Sequence, residues 1–278
     1  MKLIMTLLVR DEQDIVRENI EYHLSQGVDF IIATDNKSVD DTPNILKAYE
    51  DLGLLHYIYE DSDNYNQHAW VTRMARKAYL EYGADWVINN DADEFWWPLE
   101  GSLKSTFRGL TRNANVLKAD RQNFIAVEES LDSPFWSRMV YRELTSLNSL
   151  GRPLPPKVAH RGCATVNVSQ GNHSVSGLGE LGVIEGLIEI LHFPIRSYQQ
   201  IENKIALGGA AYERNQELNK SIGITWRKLY ADLQRDNNLN QYYKDNCHNK
   251  KQIETKLRAG EIIEDSRLEN YFSGALPL

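Results

Sequence analysis

Four short apolar runs near the start of the chain limit its fold more than any other feature. Leu3 to Val9, Val28 to Thr34, Leu54 to Tyr59 and Ala84 to Asn89 begin 25, 26 and 30 residues apart. Each is rich in Val, Ile, Leu or aromatic residues and lacks strict polar alternation, the pattern of strands buried on both faces. Helical patterns fill the gaps. Val16, Ile20 and Leu24 recur at i, i+4 and i+8, and Val71, Met74, Ala75, Ala78 and Tyr82 share one stripe. Thr42-Pro43 reads as a helix start with a hydroxyl cap, and Gly27, Gly53 and Gly83 stand where helices end in a left-handed residue. Strand and helix in alternation predict a parallel sheet with right-handed crossovers.

The remainder is less regular. Asn115 to Val127, Arg138 to Glu143, Val158 to Val168 and Val183 to Phe193 read as further strands, and Gly151 to Pro156 as a turn-rich break within one mixed, mostly parallel sheet. From Ser197 onward the chain reads as helical, with Trp226, Leu229, Tyr230 and Leu233 as an apolar stripe. The expected division is 1–196 and a helical region, 197–278, packed on it.

Charge and composition exclude several function classes. A net charge of −8 argues against a broad nucleic-acid surface. No run approaches the roughly 20 apolar residues of a membrane span, and Arg10-Asp11-Glu12 cuts the opening run too short for a signal peptide. Cys163 and Cys247 form no CxxC metal spacing. The expectation is a cytoplasmic chain without an integral membrane segment, with a peripheral place at a membrane as the alternative.

In an open α/β sheet, ligands bind beyond the carboxyl ends of the strands. There the chain carries Arg10-Asp11-Glu12, Asp35 to Asp41, Glu60 to Asp63 and Asn90 to Glu94. No GxxxxGK[ST] or GxGxxG is present, so a nucleotide here needs another device, and an acidic edge suggests a bridging divalent cation. Asp91-Ala92-Asp93 is the sharpest candidate. In extended backbone i and i+2 point the same way, so two carboxylates could reach one Mn2+ or Mg2+. Aspartates that simply end a strand are the competing account.

Leu8-Val9-Arg10-Asp11-Glu12, Glu21 to Leu24 with Gly27-Val28-Asp29, Asp35 to Thr42, and Asp85 to Ile88 leading to Asp91-Ala92-Asp93-Glu94-Phe95 together resemble a glycosyltransferase family 2-like enzyme, in the branch whose acidic motif reads D-x-D-E-F. His192-Phe193-Pro194-Ile195-Arg196-Ser197 with Lys204 resembles the same branch more loosely, and Asp11 departs from its usual asparagine. The resemblance implies a GT-A fold, with residues 1–97 as the nucleotide-sugar-binding half and 98–196 as the acceptor half. It implies transfer of a sugar, with inversion, from a nucleotide diphosphate to a glycan, lipid-linked or protein-linked acceptor. UDP comes first as the nucleotide, with GDP or dTDP as alternatives. By position Val9, Arg10, Glu12, Asp35, Asn36 and Asp40 would line the base and ribose pocket. Arg73 and Lys204 would reach phosphates, with Arg196 a further candidate, and Asp91 and Ala92 would face the ribose and the metal. Asp91, Asp93 and His192 would be metal ligands, with His173 the rival histidine. Inversion requires a carboxylate base, for which Glu180 and then Glu185 are the candidates, and Trp96, Trp97 and Trp136 could stack on sugar rings. The rival readings are a related nucleotidyltransferase and a non-catalytic carbohydrate- or nucleotide-binding protein.

Overall fold

The computed structural model describes residues 1–64, 66–128, 132–148, 151–180, 182–216, 219 and 222–275. The chain runs through β1 (Leu3–Val9), α1 (Val16–Ser25), β2 (Phe30–Asp35), α2 (Thr42–Asp51), β3 (Leu55–Tyr59), α3 (Gln67–Leu80), β4 (Trp86–Asp91), β5 (Glu94–Pro98), α4 (Leu103–Gly109) and β6 (Val116–Asn123). It continues through β7 (Ala126–Val127), α5 (Phe135–Arg138), β8 (Tyr141–Glu143), β9 (Lys157–Arg161), β10 (Asn167–Val168), β11 (Val175–Ser176), β12 (Val183–Ile184) and β13 (Ile188–His192). The last elements are α6 (Tyr198–Arg214), α7 (Ile224–Asp236), α8 (Asn240–Asn246), β14 (Cys247–His248), α9 (Lys250–Ala259), β15 (Ile262–Glu264) and α10 (Arg267–Phe272).

Packing divides the chain into two compact units, residues 1–121 with 155–191, and residues 122–154 with 192–278. This division does not follow the expected cut after residue 196. Segment 122–154 groups with the C-terminal region because β7 pairs with β14 and β8 with β15.

The first unit is built on a sheet of order β3-β2-β1-β4-β9-β6-β13-β5, with β12 beside β6. Strands β1 to β4 are mutually parallel, and β9 lies antiparallel between β4 and β6. The mixed, mostly parallel α/β class expected from the sequence is therefore present. The apolar runs are buried on both faces because period-two alternation serves two layers. Ile4 joins Ile32 and Val87 in a cluster with Val71, Met74, Ala75 and Ala78 of α3. Leu3, Met5 and Leu7, pointing the other way, are equally buried. Each such side chain contributes about 1.5–3 kcal/mol. Gly27, Gly53 and Gly83 have φ of 90°, 71° and 66°, as their positions after helices require.

Several local expectations are corrected. Asp41, not Thr42, is the N-cap of α2, and the Thr42 hydroxyl accepts the backbone N–H of Glu12 at 2.9 Å. The run 158–168 stops at Arg161, since Gly162 lies against the carbonyl of Ala84, where a Cβ would come within 1.9 Å. The run 183–193 is interrupted at Gly186, φ 78°, and Arg138 is helical rather than extended. The strands flanking the Gly-Pro break do not share a sheet, since β8 pairs with β15 and β9 with β4.

In the second unit, Ile201 and Ile205 of α6 cluster with Leu229 of α7, with Trp226, Tyr230 and Leu233 packed around them. The expected stripe on α7 thus packs inward, with Leu229 buried and Trp226, Tyr230 and Leu233 half-buried. Gly208 and Gly209 let the two helices approach, since a Cβ at either would come within 2.4 or 2.3 Å of Trp226 or Tyr230. Trp136 belongs to this unit and stacks on Phe272 at 5.4 Å rather than standing open to a sugar. Among the described residues no helix is long and apolar enough to cross a membrane.

Candidate active site

The carboxyl ends of β1, β2, β3 and β4 meet along one edge of the sheet. The register aligns Leu8 with Asp91, Val9 with Asp35, and Asp35 with Tyr59. The loops that follow therefore place Arg10, Glu12, Asp35, Asn36, Asp40, Glu60 and the Asp91-Ala92-Asp93 segment along that edge.

Their partners show how the edge is built. Asp35 is fully buried at the end of β2; its Oδ1 accepts from the backbone N–H of Ser38 at 2.9 Å and its Oδ2 from the Tyr57 hydroxyl at 2.9 Å. Asn36 donates to the carbonyls of Glu60 and Ser62, tying the loop after β2 to that after β3. Asp40 accepts from the backbone N–H groups of Gln13 and Thr42. Asp11, at φ 53°, accepts from the backbone of Val39 at 2.7 Å. Arg10 pairs with Asp63 at 2.8 Å and Arg73 with Glu60 at 3.0 Å. Arg73 also lines an open groove of about 840 Å³ with Arg76 and Lys77 along the outer flank of α3.

The acidic motif departs from the extended geometry expected of it. Asp91 closes β4, Ala92 and Asp93 form a turn, and Glu94 opens β5. Asp93 is 5 % exposed. Asn19 of α1, fully buried, donates to the carbonyls of Ala92 and Glu94 at 2.9 and 2.8 Å and accepts from Asn90 at 3.0 Å. This amide fixes the turn from below.

A buried cation stands beside the motif. Lys157, the first residue of β9 and 2 % exposed, pairs with Asp91 Oδ2 and, at 3.1 Å, with Glu94 Oε1. Asp91 Oδ1 accepts from Gln67 at 3.2 Å and from Asn172 at 3.1 Å. Arg121 lies 3.6 Å from Glu94, itself 1 % exposed. Burial pushes the Glu94 carboxyl up to about 7, against the opposing pull of Lys157. His173 donates from Nδ1 to the carbonyl of Pro156 at 2.9 Å and is held neutral, its pKa lowered to about 4 by burial and by Lys157 and Arg121. Gln67, Lys157 and Asn172 were not read from the sequence as part of this edge.

These contacts test the metal assignment. Both oxygens of Asp91 are engaged, one by an ammonium and the other by two amides. As packed, Asp91 and Asp93 do not fit a divalent ion held by both, because the Lys157 ammonium already pairs with Asp91 Oδ2.

Glu180, Glu185, Trp96 and Trp97 are placed elsewhere. Glu180 is exposed, and its carbonyl accepts from Asn115 at 2.6 Å. Asn115 precedes β6, and β6 and β9 run antiparallel so that Val116 faces His160 and Arg161 faces Trp86. Glu180 thus lies at the sheet edge opposite Asp91, too far to act as base there. Glu185 pairs with Lys118 at 2.9 Å. Trp96 is fully buried, its carbonyl accepting from the Tyr22 hydroxyl, and Trp97 stacks on Tyr22 at 5.7 Å. In the second unit His192 contacts Asn123 Oδ1 through Nδ1 at 2.7 Å, and Lys204 is half-buried on α6. Arg196, also there, is fully buried and donates to the carbonyl of Phe193 at 3.1 Å, so it is a structural side chain rather than a phosphate contact.

The polar loops lie along the carboxyl edge of the parallel strands, where open α/β sheets bind their ligands. The family model for glycosyltransferase family 92 matches residues 5–235, and the chain belongs to that family. The glycosyltransferase reading of the motifs holds, and the family is 92, where the motifs resemble family 2-like enzymes. No curated protein matches the chain in sequence. Among solved structures it is similar to S. aureus TarS 1-349 in complex with UDP-GlcNAc, at 12% identity over 84% of this chain and 72% of that one, with a TM-score of 0.48. The same protein in complex with UDP gives 13%, 84%, 71% and 0.45. Glucosyl-3-phosphoglycerate synthase from Mycobacterium tuberculosis, with Mn2+, UDP and glucosyl-3-phosphoglycerate, gives 14% over 43% of this chain and 44% of that one, at 0.30.

Proposed function

We propose that this chain transfers a sugar from a nucleotide diphosphate, UDP first, to a hydroxyl of a glycan or of a lipid- or protein-linked acceptor. The observation that carries the reading is the acidic turn Asp91-Ala92-Asp93 at the carboxyl edge of β4, flanked by the loops after β1, β2 and β3. Membership of a glycosyltransferase family supports it.

In this reading Val9, Arg10, Glu12, Asp35, Asn36 and Asp40 surround the base and ribose. Their internal hydrogen bonds support a pocket built before the donor arrives, which lowers the ordering cost of binding. Arg73 faces developing phosphate charge, where a cation favours the leaving group over the intact donor. Ala92 offers its backbone beside the ribose, with Lys204 proposed as a phosphate contact and His192 as a metal ligand. Metal dependence, on Mn2+ or Mg2+, would rest on Asp93. Inversion follows the sequence resemblance and is tested by the anomeric configuration of the product.

A thermal-shift series with UDP, GDP and dTDP, each with and without Mn2+, tests the donor class. A metal-dependent shift with one nucleotide is the expected result, followed by slow release of that nucleotide from its sugar conjugate. The absence of any nucleotide response would remove the reading.

A further inference from the structure

The ammonium of Lys157 is one of the most enclosed charges in the first unit, and it sits on one of the two acids that the donor-site reading needs. Three carboxylates, Asp91, Asp93 and Glu94, belong to this turn, and two cations, Lys157 and Arg121, neutralise most of their charge. Lys157 is anchored in β9, whose neighbours β4 and β6 hold it from both sides. Its partner Asp91 is fixed from the other direction by Gln67 and by the fully buried Asn172. Neither member of the pair can turn away without breaking other contacts.

We propose that Lys157 is a positioning residue whose ammonium pairs with Asp91 Oδ2, so that a free divalent ion cannot take both Asp91 and Asp93. The inference deepens the donor-site reading and rests on it for the role of the acidic turn. An ion meeting the wild-type edge finds a nearly neutralised acidic group.

The experiment is a Mn2+ titration without nucleotide, followed by the paramagnetic resonance signal of the free ion. Lys157→Met removes the charge at nearly constant volume, and the double variant Lys157→Met/Glu94→Gln also removes one buried carboxylate, so that folding is kept. Both are expected to bind Mn2+ at least tenfold more tightly than wild type, and adding Asp91→Asn to the double variant should abolish the gain. Lys157→Arg, which keeps the charge, should stay at the wild-type affinity. A folded double variant with wild-type affinity for Mn2+, or a Lys157→Arg variant that binds as tightly as Lys157→Met, would overturn the proposal. Calorimetry of UDP with the wild-type chain is read separately. Its failure would count against the donor reading, while the Mn2+ titration alone decides the role of Lys157.

Discussion

The side-chain amide of Asn19 donates to the carbonyl of Ala92 at 2.9 Å, so a residue in the first helix holds the middle of the acidic turn. The same amide reaches the carbonyl of Glu94, and its oxygen accepts from Asn90. Replacing Asn19 by Leu keeps the volume and leaves these buried groups unpaired, at about 1–3 kcal/mol for each. The expected outcome is a lower urea midpoint together with a raised donor KM. A folded Asn19→Leu enzyme with unaltered KM would show that the turn keeps its shape without this support.

Asp93 lies at the apex of that turn. Asp93→Ala is expected to lower transfer at least about a hundredfold, the scale of losing one group that stabilises developing charge. The circular dichroism spectrum and melting temperature should stay near wild type. Normal turnover by this variant would strip Asp93 of its proposed part.

Acid should destabilise the protein through two buried histidines. His23 donates from Nδ1 to the carbonyl of Asn19 at 2.7 Å and accepts the backbone N–H of Trp96 at 3.3 Å, so both ring nitrogens are used in the neutral form. Burial lowers His23 and His160 from 6.5 to about 4. In the unfolded chain both take up protons near pH 6.5, while the native state resists until about pH 4. Their contribution is therefore complete above pH 6.5 and is lost as the pH falls towards 4, by up to about 1.4 kcal/mol per pH unit for each. Urea curves at pH 7 and pH 5 should differ accordingly, and His160→Phe should reduce the difference. Identical midpoints at the two pH values would contradict this account.

Gly162 and Gly109 should respond oppositely to alanine. A Cβ at Gly162 would come within 1.9 Å of the carbonyl of Ala84, a backbone atom that cannot yield, whereas one at Gly109 meets nothing within 4 Å. Gly162→Ala is expected to cost about 1–3 kcal/mol, and Gly109→Ala to be neutral or to stabilise by about 0.4–1 kcal/mol. Differential scanning calorimetry of the two variants measures the contrast.

The contacts explain which parts of this architecture were legible in the sequence. Strands β1 to β4 and helix α3 declared themselves because burial on two faces and on one helical stripe leaves periodic marks. The polar loops could be assigned to one edge because parallel strands end together. Lys157 could not be read in this way. Its place beside Asp91 depends on an antiparallel strand inserted between β4 and β6, and nothing local to residue 157 sets that register. Glu180 was misplaced for the related reason that nearness in sequence to His192 says nothing about which sheet edge a loop reaches. Thr42 carried a capping residue type, yet its hydroxyl serves the backbone of Glu12, a partner 30 residues away.

The pairing of β7 with β14 and of β8 with β15 bears on biosynthesis. Glu143 finds its partner, Ile262, only after 119 further residues have been added to the chain. At ribosomal speeds of about 5–20 residues per second this is a delay on the order of ten seconds. During that interval the middle of the polypeptide carries strand edges that have nothing to pair with, while the older parallel layer can already have closed around its own core. Nascent chains of this protein therefore emerge with one finished lobe and one open seam, and that seam is where a holdase would find its grip.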